Sequence, residues 1–83
     1  MVHKKIAAGV VHALPADLGK ELASESVALE QWEDITPLAR NEWICWVEDA
    51  KKPETRERRI RLTVEKLLTG KRRPCCWAGC THR

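Results

Sequence analysis

The chain has 83 residues, of which 43% are hydrophobic and 33% charged, with a formal net charge of +3. One domain of that size buries only a modest fraction of its surface and leaves no room for a deep substrate cleft beside a separate cofactor fold. The balance suits a folded chain rather than a disordered one, and no run nears the roughly 18 apolar residues that a membrane span requires.

Residues 1–13 form an N-terminal lead-in, extended or frayed. Lys4 and Lys5 precede the apolar run from Ile6 to Leu14, which imitates the short core of a signal peptide. Gly9 and His12 interrupt that run and no small-x-small cleavage site follows, so a cytoplasmic location is expected ahead of secretion. Thiols there stay reduced, and the four Cys are not counted as two disulfides.

Four helices are expected next. In the first, Pro15 sits in the opening turn, and Leu14, Leu18 and Leu22 recur every four residues as a buried stripe. Asp17 and Glu21 lie toward its positive dipole end, and it ends near Ala23. Ser24 or Ser26 is expected to cap the second helix, which reaches about Glu33 with Val27, Ala28 and Trp32 inward. The third starts most clearly, with Thr36 as N-cap and Pro37 at the first helical position, and runs through Ala50. Ala39, Trp43, Trp46, Val47 and Ala50 share one side; Asn41, Glu42, Cys45, Glu48 and Asp49 share the other. So wide an apolar arc predicts a central helix packed by several neighbours. Lys51-Lys52-Pro53 breaks it, because a residue before proline is driven out of the helical region. Pro53 then opens the fourth helix, with Ile60, Val64, Leu67 and Leu68 inward and Gly70 just past its end. Arg56 borders that stripe and calls for a carboxylate, with Glu48 or Glu42 of the third helix as the expected partner. Trp32, Trp43 and Trp46 are expected in the core, since the chain has no Phe or Tyr.

Charge is divided unevenly. Residues 1–55 carry 6 Lys/Arg against 10 Asp/Glu, a net of −4; residues 56–83 carry 9 against 2, a net of +7. The basic part either docks on the acidic part or meets an anionic partner. Residues 71–83 form a basic, Cys-containing tail without helical period. Fold and organisation are therefore an all-α bundle of about four helices, with a lead-in over 1–13, a helical domain over 14–70 and the tail over 71–83.

In the third and fourth helices the spelling becomes specific. Arg40, Glu42-Trp43, Trp46, Ala50-Lys51, Glu54-Thr55-Arg56 and Arg59-Ile60 stand in the order and spacing of the core of the YdeI/OmpD-associated family of bacterial proteins, often labelled bacteriocin-protection proteins. Leu14-Pro15-Ala16-Asp17-Leu18 upstream and Val64-Glu65-Lys66-Leu67-Leu68-Thr69-Gly70-Lys71 downstream match as well, so the resemblance covers roughly residues 12–73. It implies a compact helical domain with no established enzymatic activity and a link to envelope stress or bacteriocin resistance.

Three constellations compete for function. Lys51, Lys52, Thr55, Arg56 and Arg59 surround the break between the third and fourth helices, where free N–H groups and cations can hold an anion; the competing reading is a purely structural junction. Cys75, Cys76, Cys80 and His82 are the only metal-like set, cramped for zinc; a disulfide from Cys80 to Cys75 or Cys76 is the other alternative, with reduced thiols the preferred reading. His3, His12 and His82 pair with no nucleophile and orienting acid in sequence, so no enzyme and no cofactor are expected. The leading expectation is a non-enzymatic interaction or stress-protection domain with a protein partner. The alternative is a nucleic-acid-binding module on the basic fourth helix and tail. Arg58, Arg59 and Arg61 spread widely around that helix and Glu57 and Glu65 interrupt them, so weak polyanion binding is expected and a specific nucleic-acid complex is not.

Overall fold

A computed structural model describes residues 6–74 as four helices, α1 (Ala16–Ala23), α2 (Ser26–Asp34), α3 (Pro37–Glu48) and α4 (Pro53–Leu68), with no strand among the described residues. The caps explain the boundaries. Thr36 is extended and its hydroxyl accepts the Ala39 N–H at 3.1 Å, with Pro37 at the first helical position. Lys52 is extended before Pro53, as a residue preceding proline must be. α4 closes on Gly70 at φ +89°. The Gly70 N–H donates to the Leu67 carbonyl at 3.0 Å and the Lys71 N–H to the Lys66 carbonyl at 2.9 Å, the paired bonds of a Schellman end.

Some expectations fail at the ends. Neither Ser24 nor Ser26 caps α2: Glu25 holds the N-cap position, without a side-chain bond, and the Ser24 hydroxyl turns back to donate to the Glu21 carbonyl. α3 stops at Glu48, two residues short of Ala50. Val27 and Leu68, expected inside, are exposed, and Thr63 takes the inner place, its hydroxyl donating to the Arg59 carbonyl one turn back.

Helix α4 is the hub, since it packs on α1, α2 and α3. Trp32, Leu18 and Leu22 meet Ile60, Val64 and Leu67 in one core with Trp43, Ile44 and Val47. Each fully buried side chain of this size contributes about 1.5–3 kcal/mol. The expectation of several helical neighbours around α3 is replaced by another arrangement. α4 is its main helical partner, and irregular chain covers other faces. The polar set of α3 is therefore buried: Asn41 is 0%, Glu42 3% and Cys45 5% exposed. Trp46, expected in the core, is only half-buried at its edge.

The cover is the lead-in. Residues 6–12 form no helix or strand, yet they are bound as a strap across α2 and α3. The Trp32 indole N–H donates to the Ala7 carbonyl at 2.7 Å, and Arg40 Nε to the Ala8 carbonyl at 3.0 Å. Asn41 Oδ1 accepts the Val11 and His12 N–H groups. Arg40 also donates through Nη1 to the Ile35 and Trp32 carbonyls at 2.6 and 3.2 Å, placing a cation at the negative end of α2.

Candidate functional site

Pro15 holds the N-cap position of α1 rather than its first turn, Pro53 is the first residue of α4, and neither start has a side-chain cap. Asp17 lies in the first turn of α1, where a carboxylate suits the dipole. Arg56 lies in the first turns of α4. The two meet as a fork: Arg56 Nε to Asp17 Oδ2 at 2.7 Å and Nη2 to Oδ1 at 3.1 Å. Asp17 Oδ1 also accepts the Leu18 N–H at 2.9 Å. This corrects the expected pairing with Glu48 or Glu42. The border of the stripe that carries Arg56 faces α1 rather than α3. The Arg56 hydrogen bond holds the Asp17 carboxyl below its ordinary pKa, against a partial desolvation that pushes it up. The same bond raises the guanidinium. Side-chain exposures of 30% and 49% keep the pair in contact with water.

Beside this fork lies a groove of about 430 Å³ between α1 and α4. Asp17, Lys20 and Glu21 line one wall; Pro53, Arg56, Glu57, Ile60 and Arg61 line the other. Ile60 is buried and Pro53 stands at the helix start, so an apolar strip runs below a charged rim. The rim carries Lys20, Arg56 and Arg61 against Asp17, Glu21 and Glu57, and the two signs balance. Lys20, Glu21, Glu57 and Arg61 line the groove without an ion-pair partner among the described residues.

The junction residues are distributed differently. Lys51 and Lys52 are exposed on the break, and Thr55 is half-buried behind them. Arg59 turns to α3: Nη1 donates to the Trp46 carbonyl at 2.7 Å, and the guanidinium lies 5.2 Å from the Trp46 ring centre. Asp49 approaches at 3.8 Å. Trp46 in turn meets Trp43 edge to face, with ring centres 5.8 Å apart. Arg56 therefore joins the groove and Arg59 holds the α3–α4 seam, so the five residues do not converge on one point. Cys75, Cys76, Cys80 and His82 lie outside the described residues. Among the described residues no three His, Cys, Asp or Glu side chains are placed to hold a metal, and no helix is long and apolar enough to cross a membrane.

Sequence reasoning missed the α1 wall of the groove. Asp17 and Glu21 read there as carboxylates suited to the helix dipole, Lys20 had no assigned role, and only the packing of α1 on α4 turns the three into a wall. The spacing of 17, 20 and 21, one helical face, was the available signal.

The family model described as OmdA, bacteriocin-protection, YdeI or OmpD-associated, matches residues 12–70. No curated protein and no solved structure matches the chain.

Proposed function

The chain belongs to the bacteriocin-protection, YdeI or OmpD-associated family, and on that premise we propose a bacterial stress-protection domain that works by binding a protein partner, without catalysing a reaction. The observation that carries this reading is the α1–α4 groove, with charges of both signs around an apolar strip. A polyanion is attracted by cations and repelled by carboxylates in such a groove, and gains little selectivity. A protein segment carrying both signs and an apolar residue complements each part of it. Lys51 and Lys52, which precede the groove residue Pro53 in the chain, add two exposed cations. Internal commitments of Arg56, Arg59 and Arg72 also weigh against the nucleic-acid alternative. Arg56 is held by Asp17, Arg59 by Trp46 and Asp49, and Arg72 by Asp34 at 3.2 Å.

In this reading the domain acts in the cytoplasm and needs no cofactor. Affinity purification from the host under reducing conditions tests it, with the native chain beside a Lys20→Glu, Arg61→Glu variant. Both sites are exposed, so the variant keeps its fold, which circular dichroism verifies. A protein retained by the native chain and lost from the variant supports the groove. Nucleic acid retained equally by both chains, with no protein, overturns it. Survival of the host under bacteriocin challenge, with and without the gene, tests the protective role separately.

A further inference from the structure

We propose that the α2–α3 face is a peptide groove that reads main chain, filled in the closed monomer by the chain's own residues 6–12 and able to take the same segment from a second copy. Trp32, Glu33, Arg40 and Asn41 build it. Five of their hydrogen bonds reach the strap, and all five end on its backbone: Ala7 N–H to Glu33, Trp32 to the Ala7 carbonyl, Arg40 to the Ala8 carbonyl, and Val11 and His12 N–H to Asn41. Recognition of this kind gives affinity without demanding particular side chains. Ile6 turns to the core and His12 reaches Glu48 at 3.1 Å, whereas the side chains between them at Val10 and Val11 face out, 56% and 50% exposed.

Two positions supply selectivity. Ile6 packs on the core. Gly9 lies so close to α3 that a Cβ there would stand 2.5 Å from Asn41 Cα and 2.6 Å from its Cβ. The groove therefore selects an apolar residue at the first position and glycine at the fourth, as in Ile6-Ala7-Ala8-Gly9. The fit is also incomplete. Asn41 Nδ2 is buried without an acceptor among the described residues, although its Oδ1 accepts two bonds. A buried donor left unmet is unfavourable, so the closed state of the strap is less stable than its contacts suggest.

The family match separates groove from occupant. It begins at residue 12, so Trp32, Glu33, Arg40 and Asn41 lie within the matched domain while residues 6–11 lie before it. Residues 13–15 join the strap to α1 without helix or strand. A segment that leaves its own groove by movement there can enter the identical groove of a second copy with the same bonds, which is the chemistry of exchange between protomers. The tethered strap acts at an effective concentration on the order of millimolar. The closed monomer therefore dominates in dilute solution, and exchange follows release of the strap or crowding of the chain.

The test uses the full chain and a fluorescein-labelled peptide of residues 6–13. Gly9→Val expels the chain's own strap and opens the groove. The peptide should bind Gly9→Val at least about tenfold more tightly than the native chain, a difference of about 1.4 kcal/mol. A peptide carrying the same Gly9→Val change should not bind, nor should the native peptide bind the Gly9→Val, Asn41→Leu chain. Equal affinity for the native and Gly9→Val chains, or equal binding of a scrambled peptide, overturns the proposal. Should Gly9→Val fail to fold by circular dichroism, a second measurement decides. The native chain, refolded at about millimolar concentration, is expected to yield a dimer by light scattering that an excess of the residue 6–13 peptide disperses and a scrambled peptide does not. A dimer unaffected by the peptide, or no dimer, overturns it. None of these readouts involves the α1–α4 groove, so the two readings fail independently.

Discussion

Asn41 and His12 are joined through a side chain and a backbone: the Asn41 carbonyl oxygen accepts the His12 N–H at 2.8 Å, and the neighbouring Val11 N–H at 3.0 Å. His12 also lies within 3.1 Å of Glu48 through Nδ1. The strap thus spans α3 from Asn41 to Glu48, two turns of helix, and accounts for the burial of a polar residue between the apolar ones. Asn41→Leu removes the acceptor for both N–H groups. It should destabilise the fold by about 1–3 kcal/mol, the cost of unmet polar groups, toward the lower end because the unsatisfied Nδ2 goes too. Denaturant unfolding measures the loss. Hydrogen exchange at Val11 and His12 should rise more than exchange in α4, and a uniform rise would place Asn41's role in the core.

Gly9 gives a complementary probe. A methyl group there cannot be accommodated without moving the strap or α3, since 2.5 Å to a backbone carbon is far inside contact distance. Gly9→Ala should cost about 1–3 kcal/mol, the range for overpacking. Gly70→Ala is strained for a different reason, a positive φ, and no atom lies in its way. The two variants should differ in exchange: Gly9→Ala loosens residues 6–12, Gly70→Ala frays the end of α4. Unfolding and amide exchange of both variants check this.

Much of the fold was legible because its determinants are local. Thr36-Pro37, Lys52-Pro53 and Gly70 fix helix ends through bonds spanning a few residues. Four-residue spacings set the stripes of α1 and α4. The strap was illegible because its bonds join backbone groups to side chains 25 to 32 positions away. Backbone groups carry no sequence signal. For the same reason the burial of Asn41, Glu42 and Cys45 was not legible, and they read only as the polar side of α3. Arg56 was recognised as needing a carboxylate, but which one depends on how α1 sits against α4. Lys20 and Glu21 became part of a site only by that packing.

The Arg56–Asp17 fork is well formed but half in water, so its worth is that of an exposed pair. A double-mutant cycle on Arg56→Ala and Asp17→Ala should give a coupling of about 0.2–1 kcal/mol, larger than the cycle with Glu48. The acid dependence follows from the depressed Asp17 pKa. Unfolded Asp17 titrates at about 3.9. The pair's contribution is present in full above that value and is lost as pH falls through the lower folded value. The stability gap between the native chain and Asp17→Asn should therefore stay constant from mildly acidic to neutral pH and close in acid. A gap that widens in acid contradicts the assignment. Urea unfolding across this range measures it.

Capping separates two helix starts that look alike in sequence. The Thr36 hydroxyl accepts the Ala39 N–H, whereas Ser26 is the first residue inside α2 and makes no cap bond. Thr36→Ala should cost about 0.5–2 kcal/mol, and Ser26→Ala should stay within about 0.5 kcal/mol. Equal losses at both positions would mean that α2 starts one residue later in solution. Thermal and denaturant unfolding provide the comparison.

Trp43 and Trp46 share an edge-to-face contact but not an environment. Trp43 is 0% exposed, and its indole N–H donates to the Arg72 carbonyl at 3.1 Å, tying α3 to the segment after α4. Trp43→Ala should cost about 3–5 kcal/mol, the range for a buried large aromatic. Trp46 is half-buried, and part of its contribution comes from Arg59 stacked on its ring. Loss of the ring removes that contact, worth about 0.5–1 kcal/mol at an exposed site, along with only part of the apolar burial. The Arg59 bond to the Trp46 carbonyl survives, because it is to backbone. Trp46→Ala should therefore cost clearly less than Trp43→Ala, and Trp46→Leu should recover most of the loss. Trp43→Leu should not, because the bond to Arg72 has no substitute. Denaturant unfolding of the four variants orders them, and a larger loss at Trp46 would move the core of the α3–α4 seam to that ring.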